Sequence, residues 1–203
     1  MRSFVAAMAC LWAGSDARAN KGSCNDVAHQ GKKSFSESRF DGRWYTIAQD
    51  RQFYDSSLNC SNSDIVRNFG GSITVSRNSY SLEDGWTQKK LEVVRNENNR
   101  GEYGLCNETD GCVRDKSPDI YYIATDYEEW AVEYVCIDIV PGQYYVDSVT
   151  ILGREPQLDE GTVELVSTLV ANSDIEYEFE NLIFVNQCAI CPFNTVPETE
   201  KKQ

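Results

Sequence analysis

Few side chains in this 203-residue chain have the types and spacing to do chemistry. His29 is the only histidine, no Gly-x-Ser-x-Gly nucleophile turn occurs, and no phosphate-binding loop is present. Cys188-Ala-Ile-Cys191 has the spacing of a redox motif or half a zinc site. A tetrahedral zinc site needs four ligands, and neither a second Cys-x-x-Cys nor a second histidine exists to complete it. The cysteines therefore point to disulfides, and the sequence predicts no catalytic residue, no metal and no cofactor. The task passes to the elements that could build a binding surface.

The first residues must be set aside. Arg2 gives a basic start, Phe4 to Ala13 an apolar run, and Ala17-Arg18-Ala19 a small-x-small cleavage sequence. That pattern predicts a secretory signal peptide over 1–19 and a mature start at Asn20; the run is too short to span a bilayer. The expected product is a soluble, exported chain. Its leader would take away Arg2, Arg18 and Asp16, moving the net charge from −13 to −14. So acidic a chain lacks the Lys/Arg patches that nucleic acid or an anionic membrane would need. Export leaves Cys24, Cys60, Cys106, Cys112, Cys136, Cys188 and Cys191, an odd number, so one is left over. Asn59-Cys60-Ser61 and Asn107-Glu108-Thr109 are glycosylation sequons.

Residues 20–40 are polar and form an arm. From Gly42 onward, short β-branched and aromatic runs alternate with turn residues, predicting strands near 42–51, 60–69, 72–82, 86–96, 101–106, 119–126, 130–139 and 144–154. Gly70-Gly71, Asp84-Gly85, Asn98-Asn99-Arg100-Gly101 and Pro141-Gly142 supply turns. Eight consecutive strands without an intervening helix are antiparallel neighbours, in a sandwich or in a closed up-and-down barrel. After Pro156, Val163, Val166, Leu169 and Val170 recur at helical spacing between a capping Asp159 and Asn172. Residues 176–186 return to strand-like alternation and 197–203 form a charged tail predicted to be disordered, outside the single domain 20–196.

Three separated stretches then align. Gly42-Arg43-Trp44-Tyr45 opens the first strand, 124–132 (Ala-Thr-Asp-Tyr-Glu-Glu-Trp-Ala-Val) holds the turn between the sixth and seventh, and Ile151-Leu152-Gly153-Arg154-Glu155-Pro156 ends the eighth. In this order and spacing they resemble the three signature regions of the lipocalins, most similarly the apolipoprotein D-like branch, over about residues 24–192. The resemblance implies an all-β, eight-stranded antiparallel calyx with one C-terminal helix packed outside. It implies that Trp44 and Arg154 meet at the closed end as barrel-closing residues. It also implies disulfides Cys24–Cys136 and Cys60–Cys188, the latter chosen over Cys191 because its distance from the helix fits the family. Cys106 and Cys112 flank Thr109-Asp110-Gly111 and are expected to pair locally. Cys191 is then unpaired: free, exchanging with Cys188, or joining a second chain in a disulfide-linked or weak homo-oligomer.

Within that fold, alternation names the inner wall. Counting from the motif turn, Ile120, Tyr122 and Ala124 point inward. Cys136 must face out to reach the arm, so Ala131, Glu133 and Val135 face in. Arg154 places Leu152, Thr150 and Ser148 inside, and by resemblance Ile65, Ile73, Val75 and Arg77 join them. These thirteen residues are the expected ligand-binding set, a mostly apolar wall with room for a ligand. Glu133 and Arg77 stand out. They either recognise a polar group of the ligand and pair in its absence, or lie on the surface in a register shifted by one. The function implied is a secreted carrier of a small hydrophobic molecule of fatty acid, sterol, retinoid or pigment class. The alternatives are a protein-interaction module with a vestigial pocket, and a lipocalin-fold isomerase or de-epoxidase using Glu133.

Overall fold

A computed structural model describes residues 18–27, 31–54, 59–68, 72–95, 101–106, 119–175, 177–185, 187 and 191–193. Its ten strands are β1 (Asn20–Lys21), β2 (Gly42–Asp50), β3 (Asn59–Arg67), β4 (Ser72–Ser81), β5 (Gly85–Arg95), β6 (Glu102–Cys106), β7 (Asp119–Thr125), β8 (Trp130–Val140), β9 (Tyr144–Gly153) and β10 (Leu182–Phe184). From β2 to β9 each strand pairs antiparallel with the next, and β9 pairs back onto β2. That last ladder closes an eight-stranded barrel and removes its free edges. The two short strands lie outside the ring, β1 on β9 and β10 on β2.

Helix α1 (Glu37–Phe40) turns the arm into β2, and helix α2 (Glu160–Ala171) follows β9. Asp159 caps α2 by accepting from the Thr162 amide, and Asn172 ends it. Val166 and Val170 are buried on the outer face of the barrel with Ile47, Val132, Tyr134, Val149 and Ile151. Leu169, at the edge of that apolar stripe, stays exposed. The outer layer also holds two buried carboxylates, Asp50 and Asp147. Tyr177 donates to Asp50 and Tyr134 to Asp147 at 3.3 Å, while Arg18, inside the expected leader, reaches both acids at 3.4 and 2.8 Å.

Among the described residues, two disulfides staple the N-terminal arm and the segment after β10 to this wall. Cys24–Cys136 fixes the arm to β8. The second corrects the sequence-based pairing: Cys60 bonds Cys191, not Cys188, across a Cα separation of 5.5 Å. A distance counted from the end of α2 does not anticipate that β10 pairs with β2. That pairing carries the following segment along the barrel, where Gln187 donates to the Thr46 and Ser61 carbonyls at 2.7 and 2.6 Å. Phe193 then packs edge-on to Tyr45 and the Trp86 indole donates to the Pro192 carbonyl, which leaves Cys191 beside the start of β3. Cys191 is therefore not unpaired, and a link to a second chain through its sulfur has no basis. Cys188, Cys112 and the Cys106 side chain lie outside the described residues, as does Asn107; Asn59 opens β3, its side chain likewise outside them.

Candidate functional site

The barrel interior has a sealed end and a hollow part, and local sequence explains both. Gly42 opens β2 at φ +111°, and a side chain there would meet an Arg154 guanidinium nitrogen at 3.1 Å. The glycine admits that guanidinium to the face of Trp44, 3.8 Å from the ring centroid. Arg154 donates to the carbonyls of Tyr127, Arg43 and Arg39, and the Trp44 indole donates to the Phe40 carbonyl. Burial pulls the Arg154 pKa down from its ordinary value, against the opposing pull of Asp41 and Asp126. A cation over an aromatic face contributes about 0.5–2 kcal/mol. The turn before β8 is tied by side chains: Asp126 accepts from the amides of Glu128, Glu129 and Trp130, and Thr125 accepts from the Tyr127 amide.

Above Trp44 lies an aromatic plug that sequence reasoning missed. Phe35 stacks on Tyr122 at 5.2 Å and Phe40 packs on Trp44 at 4.7 Å. Tyr103 meets Tyr122 at 5.7 Å. The composition of the arm is polar, and the available signal is that Phe35 and Phe40 are its only aromatic residues. Ile120, Tyr122 and Ala131, placed on the ligand wall by alternation, and Ile73, placed there by resemblance, are buried in this inner cluster. Ala124 is a correction. A bulge between Tyr122 and Ala124 inserts one residue, so Ala124 pairs with outward-facing Val132 and packs in the outer cluster. Val135 packs at the edge of the inner cluster, with Ser148 opposite it on β9.

A cavity of about 160 Å³ remains beside the plug. Six of the thirteen expected wall residues line it: Ile65, Val75, Arg77, Glu133, Thr150 and Leu152. The lining also includes Thr46, Gln49, Ser61, Ser63 and Ser79, with Phe53 and Val185 as the further apolar members. The wall is thus more polar than the sequence implies. The serines of β3 sit at inward positions of a strand whose sequence carries no strong alternation, so the periodic signal passed over them.

Arg77 and Glu133 form the charged wall of this cavity. In the ring of strands, β4 and β8 are four steps apart in either direction, hence opposite one another. The Arg77 Nη2 to Glu133 Oε1 ion pair, 3.1 Å long, therefore spans the lumen. Its two ends differ: the Glu133 side chain is 8% exposed and that of Arg77 44%. The Tyr122 hydroxyl also bonds Glu133; burial first, and then the Glu133 charge, hold its pKa well above the ordinary tyrosine value. Among the described residues no cluster of His, Cys, Asp or Glu could hold a metal ion, and no helix is long and apolar enough to cross a membrane.

A closed eight-stranded barrel with a plugged end and an internal cavity defines a calyx, a fold built around enclosed space. The chain belongs to the lipocalin / cytosolic fatty-acid binding protein family, whose pattern matches residues 41–187. It is 27% identical over 145 residues to rat (Rattus norvegicus) apolipoprotein D, 71% of this chain and 74% of that one. It is 37% identical over 62 residues to apolipoprotein D of Bos taurus, a stretch covering 30% of this chain and 32% of the relative. Insecticyanin of the tobacco hornworm Manduca sexta superimposes with a TM-score of 0.66 at 19% identity, over 83% of this chain and 88% of that one.

Proposed function

We propose that this protein is an exported carrier that holds one small, largely hydrophobic molecule with a polar group in the cavity beside Arg77 and Glu133. The observation that carries the reading is the internal cavity of about 160 Å³, lined by side chains from both walls of the barrel. Removing apolar ligand surface from water supplies the affinity, at about 25 cal/mol per Å². Ile65, Val75, Leu152 and Phe53 provide the apolar contacts, and the hydroxyls and the ion pair fix orientation. Export is supported by the signal-peptide pattern and by disulfides that tie both ends of the barrel domain. The kinship with apolipoprotein D and the fold shared with insecticyanin agree with a carrier. Native mass spectrometry of protein purified from a secreting host without refolding tests it. A co-purifying small molecule that is lost on denaturation is expected; bare protein that also fails to take up added hydrophobic compounds would overturn the reading.

A further inference from the structure

We propose that the cavity selects an uncharged, single-ring-sized ligand bearing a hydroxyl or carbonyl group and rejects carboxylates and amines of the same size. The inference rests on the carrier reading and narrows it. Size comes first: a void of about 150 Å³ accepts benzene, so about 160 Å³ accommodates one ring with a short arm. The aromatic plug of Phe35, Phe40, Tyr103 and Tyr122 fills the lumen on its closed side, so a long chain or fused rings cannot extend in that direction.

Charge decides the rest. Arg77 and Glu133 neutralise one another across the lumen, and the remaining polar lining is hydroxyl and amide: Thr46, Gln49, Ser61, Ser63, Ser79 and Thr150. A ligand carboxylate has two ways to bind. It can take Arg77 from Glu133, leaving a nearly buried carboxylate with the Tyr122 hydroxyl but no counter-charge, or it can be desolvated without a full partner. A ligand ammonium meets the mirror-image penalty at Arg77, reduced because Arg77 is the more exposed member. A neutral hydroxyl or carbonyl breaks nothing and finds both donors and acceptors among the serines and threonines. Lys89, the cross-strand partner of Arg77 on β5, shares its face of the sheet but is exposed and does not line the cavity, so solvent screens its charge more than that of the pair.

The test uses three benzyl compounds that differ only in the head group: benzyl alcohol, benzylamine and phenylacetate, titrated by calorimetry at neutral pH. The alcohol is expected to bind best, with the amine and then the carboxylate weaker by about tenfold or more. The variants carry the decisive reading. Glu133→Gln frees Arg77 and should make phenylacetate the preferred ligand, whereas Arg77→Gln frees Glu133 and should favour benzylamine. The double variant should return the preference to the alcohol, and far-ultraviolet circular dichroism melts establish that each variant is folded. Phenylacetate or benzylamine binding the unaltered protein as tightly as the alcohol would overturn the inference and leave the carrier reading standing. So would a head-group order that neither single variant changes. Failure of all three compounds to bind, with no co-purifying molecule, would instead remove the carrier reading itself.

Discussion

At the sealed end of the barrel, Phe35, Phe40, Trp44, Tyr103 and Tyr122 fill the lumen with rings in mutual contact, each of them nearly or fully inaccessible to solvent. A short way along the same lumen, Ser61, Ser63, Thr150, Arg77 and Glu133 face open space. Both regions use inward positions of one closed ring of strands, so closure of the barrel alone does not separate them. Side-chain volume does. Aromatic residues delivered by the arm and by β6 and β7 consume the apolar part of the interior, and what remains hollow is the part lined by small polar residues. A pocket bounded this way discriminates by hydrogen bonding and charge more than by apolar area.

The largest way to break this contrast is to open the plug. Phe40→Ala should destabilise the fold by about 3–5 kcal/mol, read as a lower urea midpoint. It should also let the protein accept ligands longer than one ring, because the new void adjoins Trp44 and Tyr122. Retention of the original size limit would show that plug and cavity are not continuous.

Next comes the staple beside the polar wall. Replacing Cys60 and Cys191 together by serine should lower stability by about 2–4 kcal/mol. Because Gln187 of the tethered segment bonds the backbone of Thr46 and Ser61, ligand affinity should fall as well. The same replacement of Cys24 and Cys136 should lower stability alone, since that bridge lies on the outer face.

The third prediction uses pH. Tyr103, Tyr122, Tyr134 and Tyr177 all have folded pKa values raised by burial and then by neighbouring carboxylates, above the ordinary value of 10.0. A raised folded pKa favours the protonated native form, so this contribution is complete below about pH 10 and is lost as pH rises toward the folded values. Absorbance titration should show these four phenols resisting ionisation until the chain unfolds. Free titration of all eleven tyrosines near their ordinary value would contradict the packing described.

The smallest effect belongs to one hydroxyl. Thr150→Val removes a polar atom from the cavity wall while keeping its shape, and should weaken a hydroxyl-bearing ligand by about 0.5–1.5 kcal/mol with no drop in melting temperature.

Much of the fold was legible because its signals are local: turn residues at short intervals, alternation within strands, and a capping Asp159 before an apolar stripe. Ile65, Val75 and Arg77 of the cavity were legible through the family resemblance, and Leu152, Thr150 and Glu133 through alternation, which ran unbroken from Arg154 and from Cys136. Alternation failed at Ala124, where a bulge shifted the register without leaving a mark in the sequence. The pairing implied by the family resemblance failed at Cys60, whose partner depends on a strand pairing formed more than a hundred residues away. The division of the interior was not legible, because Phe35 and Phe40 reach the lumen from a segment with no strand pattern. Only the folded chain places them under Tyr122.

Filling the hollow is the most direct measurement of the central claim. Ser63 faces the cavity from β3 between Trp44 on β2 and Arg77 on β4, and Ser63→Phe would occupy the space from the sealed end outward. Calorimetric titration with benzyl alcohol should show binding in the unaltered protein and none in the variant, while the two melt at similar temperatures. Binding of undiminished strength to a folded Ser63→Phe protein would place the ligand elsewhere and contradict the account.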